Sequence, residues 1–310
     1  MRLPFLFALL VVAAPVGAGD SPTSGSLTTG AVFWDPFLEN PMNHGPEMVF
    51  VGPQRFVMGS RLDEPGFKPD EREHPVELSP YSIGRFEVTN SEFAEFLNDR
   101  GNQLDGGIPW LLTDRIGTCL IRVTNGSFEP VEDAADRPVV AVSWNGANAF
   151  CDWLTSRTGH RYRLPTEAEW ECAARAGTDT IWPWGNRFDG SLLQWRDSAT
   201  PGASVPVGSF PPNPWGIHDM VGNVWEYVVD CVEEDFYARS PTRNPVLYVA
   251  QCRTPGVRGG SFLDGPEFCR PGHRINTWWW GEYSNIGFRV AREEVPSRWH
   301  RRRQLARMNP

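Results

Sequence analysis

The sequence predicts an α+β fold: one loop-rich domain with short strands, few helices and an aromatic-packed interior. Three observations lead there. Glycine, proline and tryptophan are abundant, at 30, 28 and 14 of 310 residues, and the first two punctuate short elements rather than long ones. Only three stretches combine helical periodicity with a start signal. Beyond Gly177 the chain shows short apolar runs separated by Gly, Pro and Asn turns. Helices segregated from strands in this way indicate α+β rather than an alternating α/β pattern.

Taken in order, "MRLPFLFALLVVAAPVGAGD" has a charged start, an apolar run and small residues at Val16 and Ala18. Residues 1–18 therefore read as a secretory signal peptide, too short to span a bilayer as an ordinary helix. The expectation is a periplasmic or secreted protein without a membrane span after cleavage. Residues 19–45, rich in Ser, Thr, Gly and Pro, read as a flexible lead-in, and the domain proper as 46–295. "MVFVGPQRFVMGS" reads as a hairpin about a Gly-Pro turn, followed by a polar loop and two more strands in "VELSPYSIGRFEVTN".

The first helix follows Thr89 and Glu92, a capping-box pair, with Phe93, Phe96 and Leu97 on one face. The second starts at Ser143, turns Ala147, Phe150, Cys151 and Leu154 inward, and stops at Gly159. Thr166 and Glu169 cap the third, which points Trp170, Ala173 and Ala174 inward and ends at Gly177. Residues 296–310 form a basic tail that reads as a solvated end.

Composition excludes several functions. The net charge is −9, and the tail holds five arginines without an acid, so the remainder is more acidic still; nucleic acid is not the expected partner. Lys68 is the one lysine, which leaves little material for Schiff-base or P-loop chemistry. Six cysteines in an exported chain indicate disulfides whose pairing the sequence leaves open. Internal pairs suit a monomer. No C-x-x-C or H-x-x-x-H pattern offers a zinc site.

In order along the chain stand "FVMGS", "EVTNSEF", "RPVVAVSWNGANAFCDW", "RLPTEAEWECAARAG", "WPWGN", "GSFPPNPWGIHDMVGNVWEY", "RGGSF" and "NIGFRVAR". Together they resemble the formylglycine-generating-enzyme/sulfatase-modifying-factor domain over residues 46–293. The resemblance implies a variant of the C-type lectin fold with sparse secondary structure.

In that family two cysteines five positions apart bind copper(I), and oxygen then converts a substrate cysteine to formylglycine. Soft thiolates suit this soft ion. Here the two positions are Asp264 and Cys269, and one thiolate beside a hard carboxylate holds copper(I) poorly. The family includes periplasmic members without the copper pair, one of which acts in maturation of the siderophore pyoverdine. The expected function is therefore an exported oxidoreductase or maturation factor acting on a peptide or peptide-derived small molecule. Its candidate catalytic residues are Ser261, Asp264 and Cys269. The alternatives are a non-catalytic binding module of the same fold and a copper-dependent sulfatase activator. Read from the residues alone, Cys269 is equally a disulfide half and Asp264 a turn cap.

"HDMVGNVWEY" brackets a Gly222-Asn223 turn with Asp219 and Glu226, the hard oxygen donors that calcium takes. The resemblance implies a calcium site formed by these two side chains and the carbonyls of Met220, Gly222 and Val224. Trp278, Trp279 and Trp280 lie in the loop before the last strands, and three adjacent rings cannot all point inward. They and Arg258 are the candidate substrate contacts. Arg163, Arg258 and Arg289 are otherwise read as structural ion pairs.

Overall fold

The computed structural model describes residues 27–114, 118–250, 252–280 and 283–295. The segments read as a signal peptide and a basic tail lie outside the described residues. Among the described residues, two sheets and three hairpins form the β-structure. The larger sheet runs in the order Val32–Phe33, Met48–Val51, Tyr81–Gly84, Ala291–Glu293 and Tyr162–Arg163, all antiparallel. The second orders Arg274–Asn276, Pro255–Arg258, Trp225–Cys231 and Ile286–Gly287, with only the last pair parallel. The hairpins are Gln54–Met58 with His74–Leu78, Leu104–Asp105 with Ile108–Pro109, and Ile121–Thr124 with Ser127–Pro130.

Three helices start where their caps predict. Helix α1, Asn90–Arg100, opens with a complete capping box between Thr89 and Glu92. Helix α2, Trp144–Thr158, is capped by the Ser143 hydroxyl, which accepts from the Gly146 amide. It ends at Gly159, where φ of 76° demands a left-handed residue. Helix α3, Glu167–Arg175, repeats the capping box with Thr166 and Glu169. Its C-cap is Ala176 rather than Gly177, with φ 47°. A short helix α4, Phe236–Arg239, follows the long central strand.

Two expectations are corrected. "MVFVGPQRFVMGS" does not fold back on itself: Met48–Val51 joins the larger sheet and Gln54–Met58 pairs with His74–Leu78. All four residues of Met48–Val51 are buried, so this segment needs a sheet neighbour on each side, and the Gly-Pro turn passes the chain onward. The lead-in is also partly structured. Val32–Phe33 adds a strand to the larger sheet and Phe37 is buried with Phe33 in the main core.

That core gathers Phe93, Phe96, Phe150 and Phe288, whose rings meet edge-on or stacked within 5.2–6.0 Å. Every residue of α3 is buried, although four of its nine are charged. Burial of that kind requires partners. Glu167 pairs with Arg274 at 2.8 Å, Glu169 with Arg163 at 2.6 Å and Glu171 with Arg258 at 2.5 Å. Among the described residues no helix is long and apolar enough to cross a membrane.

Asp230 sits on the central strand below α3, and its carboxylate accepts from the amides of Glu167 at 2.9 Å and Leu247 at 2.7 Å. Burial, reinforced by the Glu167 charge, pushes its pKa up to about 7. The folded value lies above the unfolded one, so this group stabilises the fold at low pH and the contribution fades as pH rises through about 7. Urea unfolding of the native protein is expected to show stability falling from pH 5 to pH 8. Asp230→Asn, which cannot titrate, lowers stability overall and flattens that slope; an unchanged slope rules the assignment out.

Candidate functional site

The strand Pro255–Arg258 ends in Gly259 and Gly260, with φ of 100° and 74°. The turn is glycine for a steric reason as well: a Cβ on Gly260 would lie 2.7 Å from Cys269 Sγ. The turn delivers Ser261, which is fully buried. Its hydroxyl oxygen accepts from Asn285 Nδ2 at 2.9 Å and from the Leu263 amide at 3.2 Å. With both acceptor directions used, the single hydroxyl hydrogen donates to Asp264 Oδ2. The same carboxylate oxygen accepts from Trp225 Nε1 at 2.8 Å. Asp264 is half-buried, so the hydroxyl–carboxylate pair has one member within reach of solvent.

Cys269 is not bridged. The one disulfide described joins Cys231 to Cys252, across the end of the central strand, while Cys119, Cys172 and Cys269 are free and buried. The reading of Cys269 as a disulfide half is thereby corrected. It packs with Leu193 and Val221, and its carbonyl accepts from Trp182 Nε1 at 2.8 Å. Burial, together with the charge of Asp264, pushes the thiol well above its ordinary range, so a thiolate is disfavoured here. This donor set does not fit copper(I): one protonated, enclosed thiol stands beside a hard carboxylate.

The calcium candidates converge only in part. Glu226 is fully buried, with both carboxylate oxygens 2.6 Å from the Arg289 guanidinium and one also 2.7 Å from Trp170 Nε1. Asp219 accepts from the Gly208 amide at 2.6 Å and holds φ at 55°. Met220, Gly222 and Val224 lie on the turn between them. Buried Glu87 approaches the same region; its Oε1 accepts from Asn223 Nδ2 at 2.9 Å, while Oε2 has no hydrogen-bond partner. Burial and the neighbouring acids raise Glu87, and they push Asp219 up to about 6. These acids outnumber the guanidinium between them, a surplus that a divalent cation would neutralise. Among the described residues no three Asp, Glu, His or Cys side chains cluster tightly enough to hold a metal. A calcium ion here would thus depend on Asp219, Glu226 and turn carbonyls.

The remaining candidates separate. Arg258 is fully buried, 2.5 Å from Glu171, 2.6 Å from the Pro271 carbonyl and 3.0 Å from Tyr237 Oη. It is a core residue in this structure, which corrects its assignment as a substrate contact. Arg163 and Arg289 are likewise spent on buried carboxylates. Trp279 packs against the core and its edge rests on Gly106. Trp278 is 50 % exposed and stacks on Trp280 at 4.8 Å. The site residues missed in the sequence are Trp225 and Asn285. Both stand in quoted motifs, yet only the fold brings them to Ser261 and Asp264.

Alkylation of the native protein followed by peptide mapping is expected to leave Cys269 unlabelled until denaturant is added. Cys231 and Cys252 should then appear as one bridged peptide pair. Rapid native labelling of Cys269, or its recovery in a bridge, contradicts the packing described above.

Residues 35–294 match the sulfatase-modifying factor enzyme 1-like domain. The formylglycine-generating enzyme of Thermomonospora curvata is 30 % identical over 277 residues, covering 74 % of this chain and 87 % of that one. The serine/threonine-protein kinase pkn1 of Chlamydia caviae is 32 % identical over 251 residues, but the chain spans only 38 % of its length. Among solved structures, PvdO from Pseudomonas aeruginosa is 31 % identical with a TM-score of 0.70, over 86 % of this chain and 100 % of that one. The order of motifs, the fold and these matches agree: the chain belongs to the sulfatase-modifying factor enzyme 1-like family, whose relatives include the formylglycine-generating enzymes.

Proposed function

We propose that the chain is an exported maturation factor that acts on a peptide or peptide-derived substrate through Ser261 and Asp264 rather than through a copper–thiolate pair. The observation that carries this reading is the fixed direction of the Ser261 hydroxyl. Asn285 and Leu263 donate to its oxygen, so its proton faces Asp264. A carboxylate held in that way can take a proton from a group presented to it. Trp225 holds the carboxylate in place while Cys269 fills the space beneath the turn. Trp278 offers an exposed ring for substrate contact, and the likeness to PvdO over that protein's full length supports a role of the same general kind. Export rests on the leader sequence.

The test is metabolic. In a strain lacking the protein, a peptide-derived precursor should accumulate. Cys269→Ser is expected to clear it, and Asp264→Asn to leave at least about 100-fold less conversion, the range general acid–base groups contribute. Full rescue by Asp264→Asn overturns the proposal. The exposed Trp278–Trp280 stack favours a second reading, a binding module. In that case Trp278→Ala fails to rescue whereas Asp264→Asn succeeds.

We also propose a structural calcium ion at Asp219 and Glu226, with the carbonyls of Met220, Gly222 and Val224. Metal bound only by the native state raises its stability, by about 2.7 kcal/mol when free metal is a hundredfold above the dissociation constant. Chelator is therefore expected to lower the melting temperature, and Asp219→Ala to remove the calcium response. Identical melting curves in calcium and chelator dispose of this site.

A further inference from the structure

Residues 35–45 form a loop with a buried base and an apolar tip. The Gly45 amide donates to the Asp35 carbonyl at 2.9 Å and the Phe37 amide to the Asn43 carbonyl at 2.8 Å, which closes the base. Phe37 is buried edge-on against Trp153, and the Leu38 amide donates to the Arg157 carbonyl at 2.7 Å. The tip is thereby pinned to the end of α2. Yet Leu38 and Met42 stand 66 % and 85 % exposed on it, and Val32 and Trp34, just before the loop, are exposed too. One exposed apolar side chain is ordinary. Two large ones on the tip of a pinned loop, with a tryptophan behind them, make a patch that the packing does not need.

The basic tail starts beside this loop. Arg292, in the last strand, lies 2.6 Å from Asp35 at the loop's base. The next residue, Glu293, donates its amide to the Arg161 carbonyl at 2.9 Å. Arg161 stands two residues past Gly159, where Leu38 packs closely enough to lie 3.7 Å from a Cβ placed there. Residues 296–310 follow with Arg298, Arg301, Arg302, Arg303 and Arg307 and no acid. At up to about 3.5 Å per residue, the tail is long enough to run along this face. His160 and Arg161 add half-exposed cations, while the tip's acid, Glu39, lies 3.6 Å from Arg157. The rest of the chain is net negative. An anionic surface would therefore attract this face and repel the others.

We propose that this face docks on an anionic phospholipid bilayer. Leu38, Met42 and Trp34 enter the interface, and the tail arginines meet the headgroup phosphates. Apolar insertion and cationic attraction together hold peripheral proteins on bilayers, each being weak alone. Tryptophan suits the headgroup level, where its ring is half apolar and its N–H is wet. Nucleic acid, the other polyanion, would engage the arginines but has no use for Leu38 and Met42. The surface shares no residue with the Ser261–Asp264 site and does not depend on the chemistry proposed there.

The mature protein, which lacks the apolar leader, is co-sedimented with phosphatidylcholine vesicles with and without phosphatidylglycerol. Binding to the anionic vesicles alone is expected, and it should weaken as salt screens the headgroups. Replacing Arg301, Arg302 and Arg303 together by glutamine should lower binding about 100-fold, at about fivefold for each arginine near the surface. Leu38→Ser with Met42→Ser leaves every charge in place and should weaken binding about tenfold. Both side chains are exposed, so this loop variant should melt with the parent. No sedimentation with anionic vesicles overturns the proposal. So does a loop variant that binds them as well as the parent, which would leave the tail a general polyanion contact. A single-stranded oligonucleotide that displaces the protein from vesicles at equal phosphate concentration assigns the face to nucleic acid instead.

Discussion

The buried arginine–carboxylate pairs hold this fold together. Sparse secondary structure sends irregular backbone through the interior, where each unpaired carbonyl is costly. Guanidinium groups meet that demand because one fork can serve a carboxylate and a carbonyl together. Arg258 joins Glu171 to the Pro271 carbonyl; Arg289 joins Glu226 to the carbonyls of Gly84 and His218. Arg270 links Glu64 and Glu71, and Arg175 links Glu171 to the Gly59 carbonyl. An ammonium, a point charge without the planar fork, could not make the same set. This gives a structural reason for arginines in a chain whose one lysine is Lys68. Removing one partner from such a pair costs about 3–5 kcal/mol, because the other charge is left buried alone.

The same pairs set the geometry of the site. Arg258 is the last residue of its strand, and its ties to α3 and to Pro271 fix where the Gly259–Gly260 turn begins. Glu226, one residue after Trp225, is clamped by Arg289, which fixes the indole that donates to Asp264. Asn285 reaches Ser261 from the residue before the strand Ile286–Gly287, which runs parallel to Trp225–Cys231. The polar site is thus positioned by electrostatics in the core beneath it.

This arrangement explains what the sequence disclosed and what it concealed. Capping boxes at Thr89 and Thr166 are local, within four residues, and α1 and α3 begin as those residues predict. The order of motifs revealed the family because each motif is a short, dense string. The "MVFVGPQRFVMGS" hairpin misled because local alternation cannot report that Met48–Val51 is buried on both sides by distant strands. Cysteine pairing was equally invisible: Cys231 and Cys252 meet because the central strand and the loop after α4 converge. Arg258 drew attention through its place beside the glycine turn, but charge alone does not tell a core pair from a ligand clamp.

Asp264 in place of a thiol changes more than a metal ligand. A carboxylate at this position offers hard oxygen acceptors in place of a soft sulfur, and half-burial leaves it reachable. Two donors, the Ser261 hydroxyl and the Trp225 indole, converge on one of its oxygens. Hydrogen bonding of this kind orients the carboxylate. Cys269, by contrast, gains nothing from reactivity: burial and the adjacent negative charge both oppose its thiolate. The two residues therefore differ in kind. One is an oriented, accessible carboxylate, and the other supplies volume under a turn that only glycine can make.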